Sequence, residues 1–147
     1  MRFLSTLLIV FAGDAYFVTA ADVNGDRFQD LIATHDEDSL VTLLVGDGRG
    51  DFKPASGSPL DLKNRAWQVI AIDLDRDGDR DLVGAGQNAV AVLLGDGKGS
   101  FKLAKNSPFR TGKGSWRLAV ADLNGDSKLD IVAGNVESDD ISVLLMK

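Results

Sequence analysis

The sequence has no cysteine and only one histidine, His35. A disulfide framework, a thiolate metal site and a cysteine nucleophile are therefore closed to it. A catalytic triad or a multi-histidine metal site is excluded in practice. No run approaches the 18 or more apolar residues of a membrane span. Basic charge is also scarce: 16 Lys and Arg stand against 22 Asp and Glu, a net charge of −6 with a pI near 4.6. Nucleic-acid binding calls for the opposite, clustered Lys and Arg. The acidic residues themselves are short of one kind, for only Glu37 and Glu137 are glutamate. Surface ion pairs on helices use Glu freely, whereas Asp favours turns. This acidity belongs to tight loops between strands.

What remains is 147 residues, 44% of them hydrophobic, enough for one compact domain spanning 1–147. A repeat organises it. The segment DVNGDRFQD (22–30) returns 51 residues later as DLDRDGDRD (73–81), and 49 residues after that as DLNGDSKLD (122–130). An aromatic precedes each block by six residues: Tyr16, Trp67 and Trp116. Apolar runs follow each block in register, and GDGRGDF (46–52) matches GDGKGSF (95–101). Each unit of about 49 residues reads as four short antiparallel strands, the size of one propeller blade. The predicted repeats are about 16–64, 65–113 and 114–147. In the last, the spacing predicts an inner strand over 116–123, a second over 130–133 and a third over 141–146. The outer strand of the second is expected over 101–108.

Within each block the oxygen-bearing residues alternate. Positions 1, 3, 5 and 9 are Asp22, Asn24, Asp26 and Asp30, then Asp73, Asp75, Asp77 and Asp81, then Asp122, Asn124, Asp126 and Asp130. In a curled loop alternate side chains converge. The main-chain carbonyl at position 7 (Phe28, Asp79, Lys128) would complete an all-oxygen shell with them. Such a shell suits Ca²⁺, about three ions per chain, better than Mg²⁺ with its strict octahedra. Three or four converging carboxylates would repel one another without a cation. An EF-hand is excluded, because its Glu at position 12 is here Ala33, Gly84 and Ala133, inside strand-like runs.

These blocks, each with a fourth Asp leading into an apolar strand, resemble the FG-GAP/VCBS repeats. That family forms the calcium-binding blades of integrin alpha-chain propellers and of many secreted bacterial proteins. The resemblance covers the chain from about Tyr16 and implies that positions 1, 3, 5, 7 and 9 are the ligands of each loop. The family usually has Gly at position 6, which only Gly78 supplies; the other two blocks carry Gly25 and Gly125 at position 4.

Closed propellers have about 4–8 blades. Three repeats therefore predict either a homo-oligomer, with six blades from two chains, or a fragment of a larger propeller. In the repeat register, residues 1–13 would be an outer strand completing the last blade of a partner; their charge-then-apolar order alternatively reads as a secretory signal. Arg49, Gly50 and Asp51 spell an adhesion tripeptide, but the aligned Lys98, Gly99 and Ser100 identify them as a turn. The recurring aromatics are expected to pack blades, with sugar stacking as the alternative. His35, in a polar stretch, is expected to face solvent. The functional expectation is an extracellular or periplasmic calcium-binding β-propeller module for binding or adhesion, without catalysis. The alternatives are a lectin-like carbohydrate binder and a non-catalytic fragment of a larger secreted enzyme. A protein or carbohydrate ligand fits these readings; nucleic acid and a membrane span do not.

Overall fold

The computed structural model describes residues 14–147; the two readings of residues 1–13 fall outside them. The strands, in chain order, are β1 (Ala15–Ala21), β2 (Asp30–His35), β3 (Leu40–Gly46), β4 (Phe52–Pro54), β5 (Leu60–Asp61), β6 (Gln68–Ile72), β7 (Asp81–Gly86), β8 (Ala89–Gly95), β9 (Phe101–Leu103), β10 (Phe109–Arg110), β11 (Ser115–Ala121), β12 (Asp130–Asn135) and β13 (Asp140–Leu144). They form three antiparallel sheets, one per repeat. The first runs β1-β2-β3 with β4 and β5 both paired to β3. The second runs β6-β7-β8 with β9 and β10 both paired to β8, and the third is β11-β12-β13. The chain is all-β among the described residues, as the repeat predicts, and its sheets are the blades of a propeller-like fragment.

The sequence predicts one continuous outer strand in the second repeat; the structure divides it. After β4 and β9 the chain leaves the sheet in a turn closed by Ser58 N–H to the Ala55 carbonyl and Ser107 N–H to the Ala104 carbonyl. Leaving would orphan a main-chain donor of the third strand, and a hydroxyl replaces the missing carbonyl. Leu43 N–H donates to Ser58 Oγ (2.9 Å), and Val92 N–H donates to Ser107 Oγ (2.8 Å). The chain then rejoins as β5 and β10. Buried backbone donors must find a partner, and the same serine does so in both repeats.

Strand alternation assigns each sheet two apolar faces. Ile32, Val41 and Leu43 of the first sheet pack against Leu82, Ala91 and Leu93 of the second, with Leu62 and Ala66 of the intervening segment in the same core. Val83, Val90 and Val92, from the opposite face of the second sheet, pack against Ile131 and Ala133 of the third. Two such seams hold the three sheets side by side. The recurring aromatics lie at the start of the inner strands, Tyr16 in β1 and Trp116 in β11, with Trp67 immediately before β6. Tyr16 and Trp116 lie where the register with β2 and β12 slips by a residue, a bulge that turns their side chains out of the ordinary alternation. Trp116 thereby reaches Trp67 of the preceding repeat, with ring centroids 5.3 Å apart and planes tilted by 52°.

His35 departs from expectation. It is the last residue of β2 rather than part of the loop, it is buried, and its Nε2 lies 2.8 Å from Thr42 Oγ1 on the neighbouring strand. The polar stretch that suggested solvent begins one residue later, at Asp36.

Candidate metal centre

The three Asp blocks connect the inner strand of each sheet to the second: 22–29 between β1 and β2, 73–80 between β6 and β7, 122–129 between β11 and β12. All three curl in the same way, because side chains take the place of main-chain acceptors. In the first loop Asp22 accepts the N–H groups of Gly25 (2.8 Å) and Arg27 (2.7 Å), Asn24 Oδ1 that of Asp26 (3.0 Å), and Asp26 that of Phe28 (2.8 Å). The third loop repeats this set, with Asp122 accepting from Gly125 and Ser127, Asn124 from Asp126, and Asp126 from Lys128. In the second, Asp73 accepts from Gly78 (3.1 Å), Asp75 from Asp77 (3.3 Å) and Asp77 from Asp79 (2.9 Å).

This curl accounts for the shifting glycines. Positions 4 and 6 are both left-handed in every loop: Gly25 and Arg27, Arg76 and Gly78, Gly125 and Ser127, with φ between 65° and 99°. Each loop therefore needs two left-handed residues and supplies glycine at one of them. A non-glycine residue there costs about 1–2 kcal/mol. Arg27→Gly and Ser127→Gly are each expected to stabilise the protein by about 0.5–1 kcal/mol, the gain offset in part by a freer unfolded chain. Chemical denaturation measures this; a loss of stability would show that the long side chain, not the backbone, holds the loop.

The position-9 aspartates do something the sequence did not disclose. Asp30, Asp81 and Asp130 are fully buried. One carboxylate oxygen of each accepts the N–H at position 2 of its own loop: Val23 (3.0 Å), Leu74 (2.8 Å) and Leu123 (3.0 Å). The other accepts an N–H from the end of the third strand or just beyond it: Gly46 (3.0 Å), Gly95 (3.0 Å) and Met146 (2.9 Å). Each aspartate thus clamps the loop to the third strand. The close approach explains two glycines of the GDG turns. A Cβ at Gly46 would lie 2.3 Å from the Gln29 carbonyl oxygen, and one at Gly95 would lie 2.1 Å from that of Arg80.

The structure brings Asp73, Asp75 and Asp81 together: one carboxylate oxygen from each lies within 4.8 Å of the others. Asp73 Oδ1 is buried and has no hydrogen-bond partner, which is the condition of an acceptor waiting for a cation. Burial raises Asp81 above the ordinary carboxylate range, opposed by the Gly95 and Leu74 N–H groups and reinforced by the charge of Asp75. The residues present thus fit a hard divalent cation. Asp77 and Asp79 are not in this trio. Asp77 is occupied in turning the loop, and the Asp79 carboxylate lies against Gly97 of the turn, as Phe28 lies against Gly48. In the first and third loops position 3 is an amide. Asn24 and Asn124 donate to Asp26 and Asp126 (3.0 and 3.2 Å), so no three acids assemble there among the described residues. Asp122 is held below the ordinary carboxylate range: desolvation opposes this, but the N–H groups of Gly125, Ser127, Asn124 and Asp126 together outweigh it.

The turns following the third strands are built alike. Asp47 accepts from Arg49 (2.7 Å) and Asp51 (3.1 Å), Asp96 from Lys98 (2.9 Å) and Ser100 (3.0 Å), and these donors hold both carboxylates low. The 49–51 tripeptide is therefore the arm of a capped turn. Trp67 is buried, with the Arg65 guanidinium 5.4 Å from its ring centre and Trp116 also against it. It packs the seam and offers no open face to a sugar, whereas Tyr16 and Trp116 are partly exposed.

The family model described as FG-GAP-like repeat matches residues 22–83 and again residues 73–133. Its two matches overlap across the second loop and together take in all three Asp blocks. Comparison with curated proteins gives no match.

Proposed function

Because the chain belongs to the FG-GAP-like repeat family, we propose that it is a calcium-binding propeller module that works outside the cytoplasm as a binding or adhesion element. In this reading calcium is structural and the module performs no catalysis. The observation that carries it is the buried, unpartnered Asp73 Oδ1 beside the carboxylates of Asp75 and Asp81. Asp73, Asp75 and Asp81 would hold the ion in the second loop, joined by Asp77 and the main-chain carbonyl of Asp79. The corresponding sets in the other loops are Asp22, Asn24, Asp26, Phe28 and Asp30, and Asp122, Asn124, Asp126, Lys128 and Asp130. The ion would neutralise carboxylates that otherwise repel. It would also fix the loop whose far end is clamped to the third strand, leaving the rim rigid for a ligand.

Titration of EDTA-treated protein with CaCl₂ in a calorimeter tests this. Calcium is expected to bind most tightly at the second loop, which has four carboxylates at positions 1, 3, 5 and 9 where the others have three. Asp75→Asn gives that loop the pattern of its neighbours and is expected to weaken its site by about tenfold, equivalent to about 1.4 kcal/mol. No calcium binding in the wild type would sink the reading.

The pH dependence has a defined sign. A carboxyl whose folded pKa is raised is most favourable to the fold when protonated, so without metal Asp81 withdraws stability as pH rises from its unfolded value near 3.8 through its raised folded value. Calcium takes the ionised form and reverses that slope. Affinity at this loop is expected to fall on acidification, and to do so at a higher pH than that at which ordinary surface carboxylates titrate.

A further inference from the structure

The third sheet has an apolar face that no described residue covers. In register, Val132, Ile141 and Val143 are the counterparts of Ile32, Val41 and Leu43 in the first sheet and of Val83, Val90 and Val92 in the second. In those sheets each trio is buried in the seam with the following sheet. Here Ile141 is 69% exposed, Val143 50%, and Leu145, the next residue of the row, 52%. A contiguous apolar surface of this kind on a small protein marks an interface. Its edge is charged on both sides. A shallow depression across one end of it is lined by Arg117, Gly134, Val136, Asp139, Asp140 and Ile141. Arg117 lies on β11, at one side of the sheet; Asp139, in the turn just before β13, and Asp140, its first residue, lie on the other. Arg117 and Asp139 are exposed, and neither forms an ion pair within the chain among the described residues.

We propose that this face binds the same face of a second copy of the chain across a two-fold axis. A two-fold lying along the strands sets β11 of one copy over β13 of the other, so that each Arg117 meets the partner's Asp139, Ile141 and Val143 pack on the partner's β11, and the two β12 strands, with Val132 and Gly134, face each other at the axis. The contact is sheet face on sheet face like the two intramolecular seams, but joins two copies of the same face where they join opposite ones, with self-complementary charge at its rim. A head-to-tail ring would instead seat this face on the corresponding face of the partner's first sheet.

Light scattering coupled to size exclusion, on the full chain in calcium, is expected to give twice the 15.7 kDa chain mass. Val143→Asp is expected to halve that mass while leaving the circular dichroism spectrum unchanged, because the side chain is already half exposed within the chain. The absence of cysteine supplies the second measurement. Gly134 faces open space, with nothing within 4 Å of an added Cβ. Gly134→Cys is therefore expected to oxidise to a covalent dimer many times faster than Lys105→Cys, on an exposed segment of another sheet. A wild type that stays monomeric at the highest soluble concentration overturns the proposal, as does a Val143→Asp variant that still dimerises. A dimer in which Gly134→Cys links no faster than Lys105→Cys overturns the two-fold and identifies a head-to-tail contact.

Discussion

Asp30→Ala is expected to lower the unfolding free energy by about 3–5 kcal/mol, in EDTA as well as in calcium. The carboxylate accepts the N–H of Val23 with one oxygen and that of Gly46 with the other, both at 3.0 Å, in a fully buried position. Alanine leaves both donors orphaned where water does not reach them, and each such loss costs about 1–3 kcal/mol. Asp30→Asn keeps one acceptor oxygen and turns an amide N–H towards the second donor, so it is expected to recover less than half of the loss. Urea denaturation of the three proteins, with and without calcium, provides the measurement. A loss under about 1 kcal/mol in EDTA, growing only when calcium is present, would make Asp30 a metal ligand and nothing more.

Removal of calcium is expected to have the next largest effect. A ligand present at 100 times its dissociation constant stabilises the fold by about 2.7 kcal/mol per site. At about 2–4 °C per kcal/mol for a chain of this size, one saturated site is worth about 5–10 °C in Tm. The three loops are on different sheets and share no ligand, so their contributions are expected to add. Thermal unfolding followed at 218 nm, roughly the β-sheet minimum, in EDTA and then in rising CaCl₂, gives the sum; repeating it in Asp75→Asn isolates the second loop. An equal Tm in EDTA and in saturating calcium would leave the Asp loops as metal-free turns stabilised by their own hydrogen bonds.

The parts of the fold legible in the sequence were those that recur with a fixed chemical reason. The Asp blocks, the aromatics six residues before them and the apolar runs after them located the three strands of the third sheet to within about two residues. The antiparallel order follows from loops too short for any other connection. The outer strands were less legible because what divides them is a hydroxyl substituting for a carbonyl. Ser58 and Ser107 occupy equivalent places, but serine is too common in polar segments for that to signal a splice.

The Asp loops show the same division. Their oxygen pattern was plain, and the second loop does gather three carboxylates. Position 9 was legible only as one more oxygen. Its second duty depends on the third strand returning to within hydrogen-bond reach, which no local pattern encodes. The placement of glycine at either position 4 or position 6 looked like a departure from the family pattern. It becomes intelligible once both positions are seen to be left-handed. His35 is buried where its sequence neighbours are polar, because a polar neighbourhood says little about a residue that closes a strand against Thr42.

The divided outer strands have a consequence for how these molecules behave at high concentration. The outer strand of a blade is a sheet edge, and an edge with a long row of free N–H and C=O groups is a template on which other chains add and grow into aggregates. In the first two blades that row is short. Three residues of β4 are followed by a turn and two residues of β5, and β9 and β10 repeat the arrangement. Two or three paired residues give too few hydrogen bonds to register an incoming strand. The serine that completes the third strand also interrupts the ladder from which a foreign strand would grow, so the rims of the first two blades are insulated against fibril growth by the means that keeps their own backbone satisfied.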